Sequence, residues 1–295
     1  MSTNIVYHGT PSQRLLRPAK RFLQRARLLR SSPPRRTLIV SGVQRSGTEL
    51  VMDMLDTHWH TDVYHEWDAR AFENYHMRPL QEVQARLATS PSRRIVLKAL
   101  LEADQVYTLL DHLAPARALW MLRDYADAVS SMLRLFPGAG MRQMAQWREG
   151  AEIGRWRWRG MSDDAADVLR AHDRSDLSDA EGHALFWWYR NHLFFEQDLD
   201  TDARVLVLRY EDLAREPGVH CRRICDLAGI SDTARMRRMP VATSIGKDPA
   251  PPLGDRIRGL CEAMTTRLDA VAEHHRRASR PAPPSERHPA TAEPL

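Results

Sequence analysis

Residues 37–50 of the chain read TLIVSGVQRSGTEL. The first part is a short apolar run that ends in Gly42, a pattern typical of a buried strand. A second glycine, Gly47, follows after four residues, and helical spacing of apolar residues begins at Glu49. The stretch therefore predicts a strand, a glycine-rich turn and a helix whose first N–H groups would face an anion.

The turn matches the triphosphate-binding pattern G-x-x-x-x-G-K-[ST] only at its two glycines. Thr48 stands at the lysine position and Glu49 at the position of the Mg²⁺-binding hydroxyl. Mg²⁺-dependent hydrolysis of a triphosphate is therefore disfavoured. Arg45 supplies a positive charge and Ser46 a hydroxyl, so a nucleotide with one 5′ phosphate and a transferable neighbouring group fits better. The alternative is a glycine-rich turn that binds nothing.

The composition is that of a globular protein with a separate basic segment. The chain has 295 residues, of which 43% are hydrophobic and 27% charged. Its net charge is +5, but residues 1–36 hold nine Lys and Arg and no acid, so the remainder carries −4. A mildly acidic body lacks the basic surface of a nucleic-acid-binding domain, and no nucleic-acid partner is expected.

Three segments are expected. Residues 1–36 are predicted to form a basic N-terminal arm and linker, either flexible or carrying a basic amphipathic helix that contacts anionic lipid or a partner. Residues 37–273 are predicted to form a single domain, and residues 274–295 a disordered tail. An odd number of cysteines, three, favours a reducing, cytoplasmic location. Cys221 and Cys225 are predicted to pack on one helix face rather than bind metal.

Apolar segments of strand type and helix type alternate through the predicted domain. Strands are predicted at residues 37–42, 60–64, 94–99, 116–122 and 204–210. Helices are predicted at residues 49–58, 79–88, 102–113, 124–136, 183–197 and 219–229, and residues 140–175 are expected to be irregular. The alternation predicts an α/β fold, a P-loop-like parallel sheet flanked by helices on both faces. Lys98, Arg123 and Tyr210 fall near the carboxyl ends of strands, where such sheets bind ligands.

A second stretch contains residues suited to ligand binding: WMLRDYADAVSSML, residues 120–133. It places Arg123 at a strand end and Ser131 about two turns into the following helix. An arginine and a serine so placed could clamp a second phosphate, the arginine with two parallel hydrogen bonds. A surface arginine and an ordinary helical serine are the alternative.

These two stretches resemble the 5′-phosphosulfate loop and the 3′-phosphate motif of sulfotransferases that use 3′-phosphoadenosine 5′-phosphosulfate (PAPS). RYEDLAREPGVHCRRICDLAGI, residues 209–230, is similar to a third segment of that family, and the likeness spans roughly residues 37–262. The resemblance implies PAPS as co-substrate. No metal is required, because Arg and Lys can neutralise its anionic groups.

Within the family, the chain is most similar to the tyrosylprotein sulfotransferases. GVQRSGTELVMDMLD (residues 42–56) resembles their G-V-P-R-S-G-T-T-L stretch, and HEWDAR (residues 65–70) resembles their E-E-T-R segment. The resemblance implies Glu66 as the general base, with His65 as its alternative. It also implies Arg45, Lys98 and Ser244 as further catalytic residues.

The chain departs from the pattern at several positions. Gln44 replaces a proline, and Glu49 replaces a threonine and adds negative charge beside the anion site. Leu135 stands where an arginine is frequent, although Arg134 is adjacent. The membrane anchor and disulfides of the animal enzymes have no counterpart, which favours a soluble bacterial-type enzyme.

A late loop, VATSIGKDP (residues 241–249), is expected to cover the nucleotide, and Tyr210 to lie near the adenosine or in the core. The predicted nucleotide-binding residues are Arg45, Ser46, Gly47, Thr48, Glu49, Arg123, Ser131, Tyr210, Ser244 and Lys247.

The leading hypothesis is sulfonyl transfer from PAPS to a tyrosine of a peptide or protein with acidic neighbours, by an enzyme that could be a homodimer. The Trp- and Arg-rich residues 147–160 could recognise such a peptide or serve packing, and FWWYR (residues 186–190) is expected in the core. Alternatives are a carbohydrate or lipid-linked sugar acceptor, a P-loop nucleotide kinase, and a nucleic-acid or membrane-surface module led by the basic arm.

Overall fold

The structure, a computed structural model, describes residues 11–28, 34–150 and 155–278. Seven strands are numbered in chain order: β1 Arg36–Gly42, β2 Thr61–Tyr64, β3 Phe72–Glu73, β4 His76–Met77, β5 Arg94–Lys98, β6 Ala116–Leu122 and β7 Val205–Arg209. The helices are α1 Pro11–Leu28, α2 Thr48–Asp56, α3 Leu80–Ala88, α4 Val106–His112, α5 Tyr125–Leu135, α6 Ala139–Arg148, α7 Asp163–His172, α8 Asp179–Glu196, α9 Tyr210–Arg215, α10 Pro217–Ala228, α11 Ala234–Arg237 and α12 Asp255–Ala278.

Five strands form one parallel sheet in the order β2-β5-β1-β6-β7, and β3 and β4 form a separate short hairpin. The chain leaves β1 toward β2 on one side and reaches β6 on the other. The strand order therefore reverses around β1, and the carboxyl end of such a strand opens onto a crevice. The glycine-rich turn begins at that end.

The sheet is buried on both faces, as predicted. Alternate residues of each strand belong to two hydrophobic clusters, so Ile39 and Trp120 lie in one cluster while Leu38 and Leu119 lie in the other. The first cluster contains residues of α3, α4, α5, α8 and α12, and the second contains residues of α2, α9, α10 and α11. This packing makes the strands continuous apolar runs, which is why their positions could be predicted.

Two local predictions about packing are confirmed. Cys221 and Cys225 are buried free thiols, and burial raises the pKa of Cys221 to about 11. All five residues of FWWYR (186–190) are buried, and the Arg190 guanidinium donates to the carbonyl of Leu100 at 2.7 Å. Burial lowers the pKa of this arginine to about 10.

The expectation that residues 140–175 are irregular is wrong, because they contain most of α6 and all of α7. Gly140 near the start of α6 weakens the helical signal, since glycine is a poor helix former. The structure explains the glycine: a Cβ at Gly140 would lie 2.1 Å from the carbonyl oxygen of Asp179 in α8. Tertiary packing therefore stabilises a helix that its local sequence disfavours.

Both terminal segments contain helical residues. Residues 11–28 of the arm form α1, and its Lys20 side chain donates to the carbonyl of Asp56 at 2.8 Å. Residues 274–278 of the expected tail continue α12, and the remainder of that tail lies outside the described residues. Among the described helices, none combines the length and apolar character needed to cross a membrane.

We expect Gly182→Ala to lower the free energy of unfolding by about 2 kcal/mol, as overpacking of a core contact commonly does. The added Cβ would meet the backbone carbon of Gly140 at 2.4 Å, where α6 and α8 cross. Gly259→Ala is the matched control, since it is also a helical glycine but faces open space. That control should keep or raise stability. If the two variants unfold at the same urea concentration, the close contact between α6 and α8 at Gly182 is contradicted.

Candidate active site

The glycine-rich turn adopts a backbone that its glycines permit. Gly42 and Gly47 have φ angles of 139° and 88°, and a Cβ at Gly42 would lie 2.4 Å from the carbonyl oxygen of Met121. A Cβ at Gly47 would lie 2.5 Å from the ring of Tyr210. Arg45 also has a positive φ, 70°, which is strained for a residue with a side chain. The turn is thus pressed between β6 and Tyr210.

Arg123, at the end of β6, links three parts of the site. Its guanidinium donates to the carbonyl of Arg45 at 3.1 Å and to the carbonyl of Ser244 at 2.7 Å. It also lies 4.8 Å above the ring of Tyr210. The Arg45 side chain in turn donates to the hydroxyl of Ser131 at 3.0 Å. The arginine and serine of the second sequence stretch therefore both contact the turn, while their binding of a second phosphate stays a prediction.

The late loop is attached to the same cluster. The hydroxyls of Tyr210 and Ser244 are 2.5 Å apart, and the Tyr210 hydroxyl donates to the carbonyl of Val241 at 3.2 Å. Asp127 of α5 accepts from the N–H of Gly246 at 3.0 Å. Tyr210 is thus a contact between the loop and the turn, and it is also buried. Its position near the adenosine stays a prediction.

Lys98, at the end of β5, lies between two carboxylates. Its ammonium is 2.7 Å from Glu49 and 2.8 Å from Glu66. Burial alone would lower the pKa of Lys98, but the two carboxylates raise it above its ordinary value. The lysine therefore stays charged at neutral pH.

Glu49, unexplained in the sequence, has two partners. Besides Lys98, it contacts Nδ1 of His65 at 2.8 Å, and His65 stacks on Trp67. Burial acts to raise the pKa of Glu49, but His65 and Lys98 outweigh it and lower the pKa to about 2. Glu49 is therefore an anion at all physiological pH values.

Ligand atoms of Glu49, Asp53 and His65 lie within 4.8 Å of one another, a grouping able to hold a metal ion. The Lys98 ammonium at 2.7 Å from the same Glu49 opposes a cation there. His58 and His60 contact each other instead, with ring centroids 5.0 Å apart.

Two cavities meet at Glu66. The first, of about 480 Å³, is enclosed by the turn and the late loop. The second, of about 850 Å³, lies between the β3–β4 hairpin, α6 and α8. Glu66 lines both, and its Oε1 has no partner among the described residues. His65 lines neither of these two cavities and is 2% exposed. It is therefore poorly placed to take a proton from an acceptor in either cavity.

Nearly all predicted site residues border the first cavity. Ser46 is the exception: it is buried outside the lining, and its N–H donates to the carbonyl of Val43 at 3.2 Å. The predicted residues that line the cavity are Arg45, Gly47, Thr48, Glu49, Glu66, Lys98, Arg123, Ser131, Tyr210, Ser244 and Lys247.

The first cavity has the donors that an anionic nucleotide needs. Five cationic side chains border it: Arg45, Lys98, Arg123, Arg134 and Lys247. Nε of Arg123 is buried and has no partner within the described ranges, so a donor remains for a ligand. Helix α2 begins at this cavity with no side-chain cap from Gly47, and backbone N–H groups at such a helix start suit a phosphate. The residues present therefore fit PAPS.

Sequence reasoning missed several lining residues. Arg134, one turn after Ser131, borders the first cavity and pairs with Asp248 of the late loop. Its helical spacing from Ser131 was the available signal.

The second cavity as a whole was not predicted, although Trp156 and Arg157 in its wall belong to the Trp- and Arg-rich stretch that could recognise an acidic peptide. Arg142 and Arg157 line it, and neither has an ion-pair partner in the part of the chain that the structure describes. Burial and the nearby Arg142 lower the pKa of Arg157. Aromatic side chains complete the wall: Tyr75, Phe136, Trp156 and Phe186.

The family model of the sulfotransferase domain matches residues 35–244, which include the turn, Lys98, Arg123 and Ser244. No curated protein sequence is similar enough to this chain to count as a match.

Three solved structures are similar to the chain. A sulfotransferase domain from the curacin biosynthetic pathway is 14% identical with a TM-score of 0.48, covering 81% of this chain and 99% of that one. The sulfotransferase domain of an olefin synthase from Synechococcus is 17% identical with a TM-score of 0.41, covering 86% and 91%. A sulfotransferase from Mycobacterium avium is 15% identical with a TM-score of 0.42, covering 88% and 86%.

We expect Glu49→Gln to tighten binding of adenosine 3′,5′-bisphosphate at least about fivefold, since one unit charge a few ångströms away contributes roughly 1 kcal/mol even in water. The change removes a carboxylate from the cavity wall and frees Lys98 for the ligand. Calorimetric titration measures the dissociation constant. Glu73→Gln, an exposed glutamate outside both cavities, is the control. Weaker binding by the Glu49 variant would mean that Glu49 supports the nucleotide rather than opposing it.

Proposed function

This chain belongs to the sulfotransferase family, and from that premise we propose that it transfers a sulfonyl group from PAPS to a tyrosine hydroxyl of a peptide or protein, with Glu66 as general base. The main support for the proposal is that Glu66 lines both cavities. One cavity has cations for a nucleotide, and the other has aromatic and cationic side chains for an acceptor.

The first cavity would hold PAPS, which supplies an activated sulfonyl group bonded to a phosphate oxygen. The turn and Arg45 would bind the 5′ end, because backbone N–H groups at a helix start and an arginine both favour anions. Arg123 and Ser131 would bind the 3′ phosphate. Lys247 lies on the late loop, where it can add charge once the nucleotide is covered.

Glu66 and Lys98 would divide the chemistry between them. Glu66 takes the proton of the acceptor hydroxyl as its oxygen bonds to sulfur, while the bond from sulfur to the phosphate oxygen breaks. Lys98 and Arg45 stabilise the charge that appears on that phosphate oxygen. The free Oε1 of Glu66 is available to the hydroxyl, since Oε2 is on Lys98 at 2.8 Å.

Tyrosine in an acidic peptide fits the second cavity. A phenol ring packs favourably on aromatic side chains such as Phe136 and Trp156. Arg142 and Arg157 can pair with carboxylates next to the tyrosine. The likeness of HEWDAR and the turn to tyrosylprotein sulfotransferases supports the same acceptor.

A carbohydrate hydroxyl is the second candidate. Polar atoms of Gln44, Gln143 and His183 in the cavity wall are buried without partners among the described residues. Such groups could bind sugar hydroxyls, and aromatic rings stack on sugar faces. The chemistry at Glu66 would be unchanged.

Mass spectrometry of acceptors incubated with PAPS and the purified protein tests the proposal. A tyrosine peptide with acidic neighbours should gain a sulfonate, and its phenylalanine analogue should not. Release of adenosine 3′,5′-bisphosphate is followed in parallel. Sulfonation of an oligosaccharide but of no tyrosine peptide would move the acceptor to the second candidate. If neither acceptor is modified and the bisphosphate does not bind, the proposed function is wrong.

We expect Glu66→Gln to lose about 10²–10⁴-fold in kcat, the usual cost of removing a general base. Nucleotide affinity should change little, because Gln keeps a polar group beside Lys98. Glu102→Gln is the matched control: this glutamate is also buried, and burial raises its pKa to about 7. It lines neither of the two cavities and should retain kcat. Parallel losses in both variants would indicate a structural effect rather than loss of the base.

Arg123→Ala should weaken binding of adenosine 3′,5′-bisphosphate about 10–100-fold, since a charged hydrogen bond contributes roughly 1.5–3 kcal/mol. Binding of adenosine 5′-monophosphate should fall less, so the preference for a 3′ phosphate shrinks. Arg117→Ala, at the other end of β6, is the control. Equal loss for both nucleotides would mean that Arg123 only supports the turn and the late loop.

A further inference from the structure

Helix α1 is docked with two of its polar side chains inward. Lys20 and Gln24, one turn apart, are both buried against the body. Lys20 donates to the carbonyl of Asp56, and Gln24 donates to the carbonyls of Trp59 and Thr61 at 2.9 and 2.8 Å. These bonds fix which side of the helix faces the domain.

Two large apolar side chains of α1 face solvent. Phe22 is 71% exposed and Leu23 is 51% exposed, the opposite of what an amphipathic helix does when it packs on a core. Trp59, whose carbonyl accepts from Gln24, is 46% exposed. Several exposed large apolar side chains in one region mark a contact surface.

Cations share this outward surface. Arg21 and Arg25 are exposed one turn apart on α1, and residues 1–36 contain no acid. A helix with apolar and cationic side chains together on its free surface is typical of helices that lie in the interface of an anionic membrane. The apolar groups enter the acyl boundary while the arginines reach the headgroups.

We propose that the outer surface of α1, formed by Arg21, Phe22, Leu23 and Arg25 with the neighbouring Trp59, binds an anionic lipid surface. The same surface is a poor contact for a second copy of the chain. A two-fold contact brings each patch against its own copy, so the arginines of one α1 would meet those of the other. Lipid phosphates instead complement them.

Flotation of the full-length protein with vesicles tests this proposal. The vesicles contain either phosphatidylcholine alone or phosphatidylcholine mixed with phosphatidylglycerol. The protein should partition onto the mixed vesicles at least about tenfold more strongly, and binding should weaken as salt is raised.

Two variants separate the contributions. Arg21→Glu with Arg25→Glu should lower partitioning onto mixed vesicles at least about tenfold, because each cation near an anionic surface increases the affinity for the membrane severalfold. Phe22→Ser with Leu23→Ser should also lower it, since the apolar anchor is lost.

The matched controls are Arg170→Glu and Val219→Ser, an exposed arginine and an exposed valine on other helices, which should bind like the parent. Unchanged unfolding temperatures would show that all variants are folded. The proposal is overturned if the parent does not float with mixed vesicles or if the α1 variants bind as the parent does. It is also overturned if Phe22→Ser with Leu23→Ser converts a dimer to a monomer in light scattering while vesicle binding is kept.

Discussion

The ammonium of Lys98 lies between the carboxylates of Glu49 and Glu66, and the rest of the site is arranged around that bridge. Glu49 begins α2, Glu66 follows β2, and Lys98 ends β5, so one buried cation joins three elements at one edge of the sheet. A buried ammonium is costly unless it is paired, and breaking such a pair leaves an uncompensated charge. The bridge thereby fixes where the proposed base lies relative to the turn.

In the proposed function, the same bridge would link nucleotide binding to the acceptor side. A ligand with anionic groups would compete with Glu49 for Lys98, and His65 would remain as a partner for Glu49, which it contacts at 2.8 Å. The other carboxylate, Glu66, lines both cavities, and its Oε1 has no partner among the described residues. Arg123 ties the turn to the late loop through two backbone carbonyls, so both walls of the nucleotide cavity share one anchor.

The sequence was informative where the signal is local. The five sheet strands are continuous apolar runs, and Arg45, Lys98 and Arg123 follow strands whose carboxyl ends must meet at one edge. The second cavity has no such signal, because its wall combines residues as distant as Gln44 and His183 through helix packing. The ligand contact of Ser46 stays a prediction: its side chain is buried outside the lining of the first cavity, and its Oγ has no partner among the described residues.

The central claim is that Glu66 acts as the general base. A crystal structure with adenosine 3′,5′-bisphosphate and the unsulfonated acceptor would test it most directly. The account predicts the nucleotide in the cavity of Arg45 and Arg123, and the acceptor hydroxyl within about 2.6–3.2 Å of the Glu66 carboxylate. An acceptor hydroxyl that contacts another side chain, with Glu66 still paired only to Lys98, would contradict it.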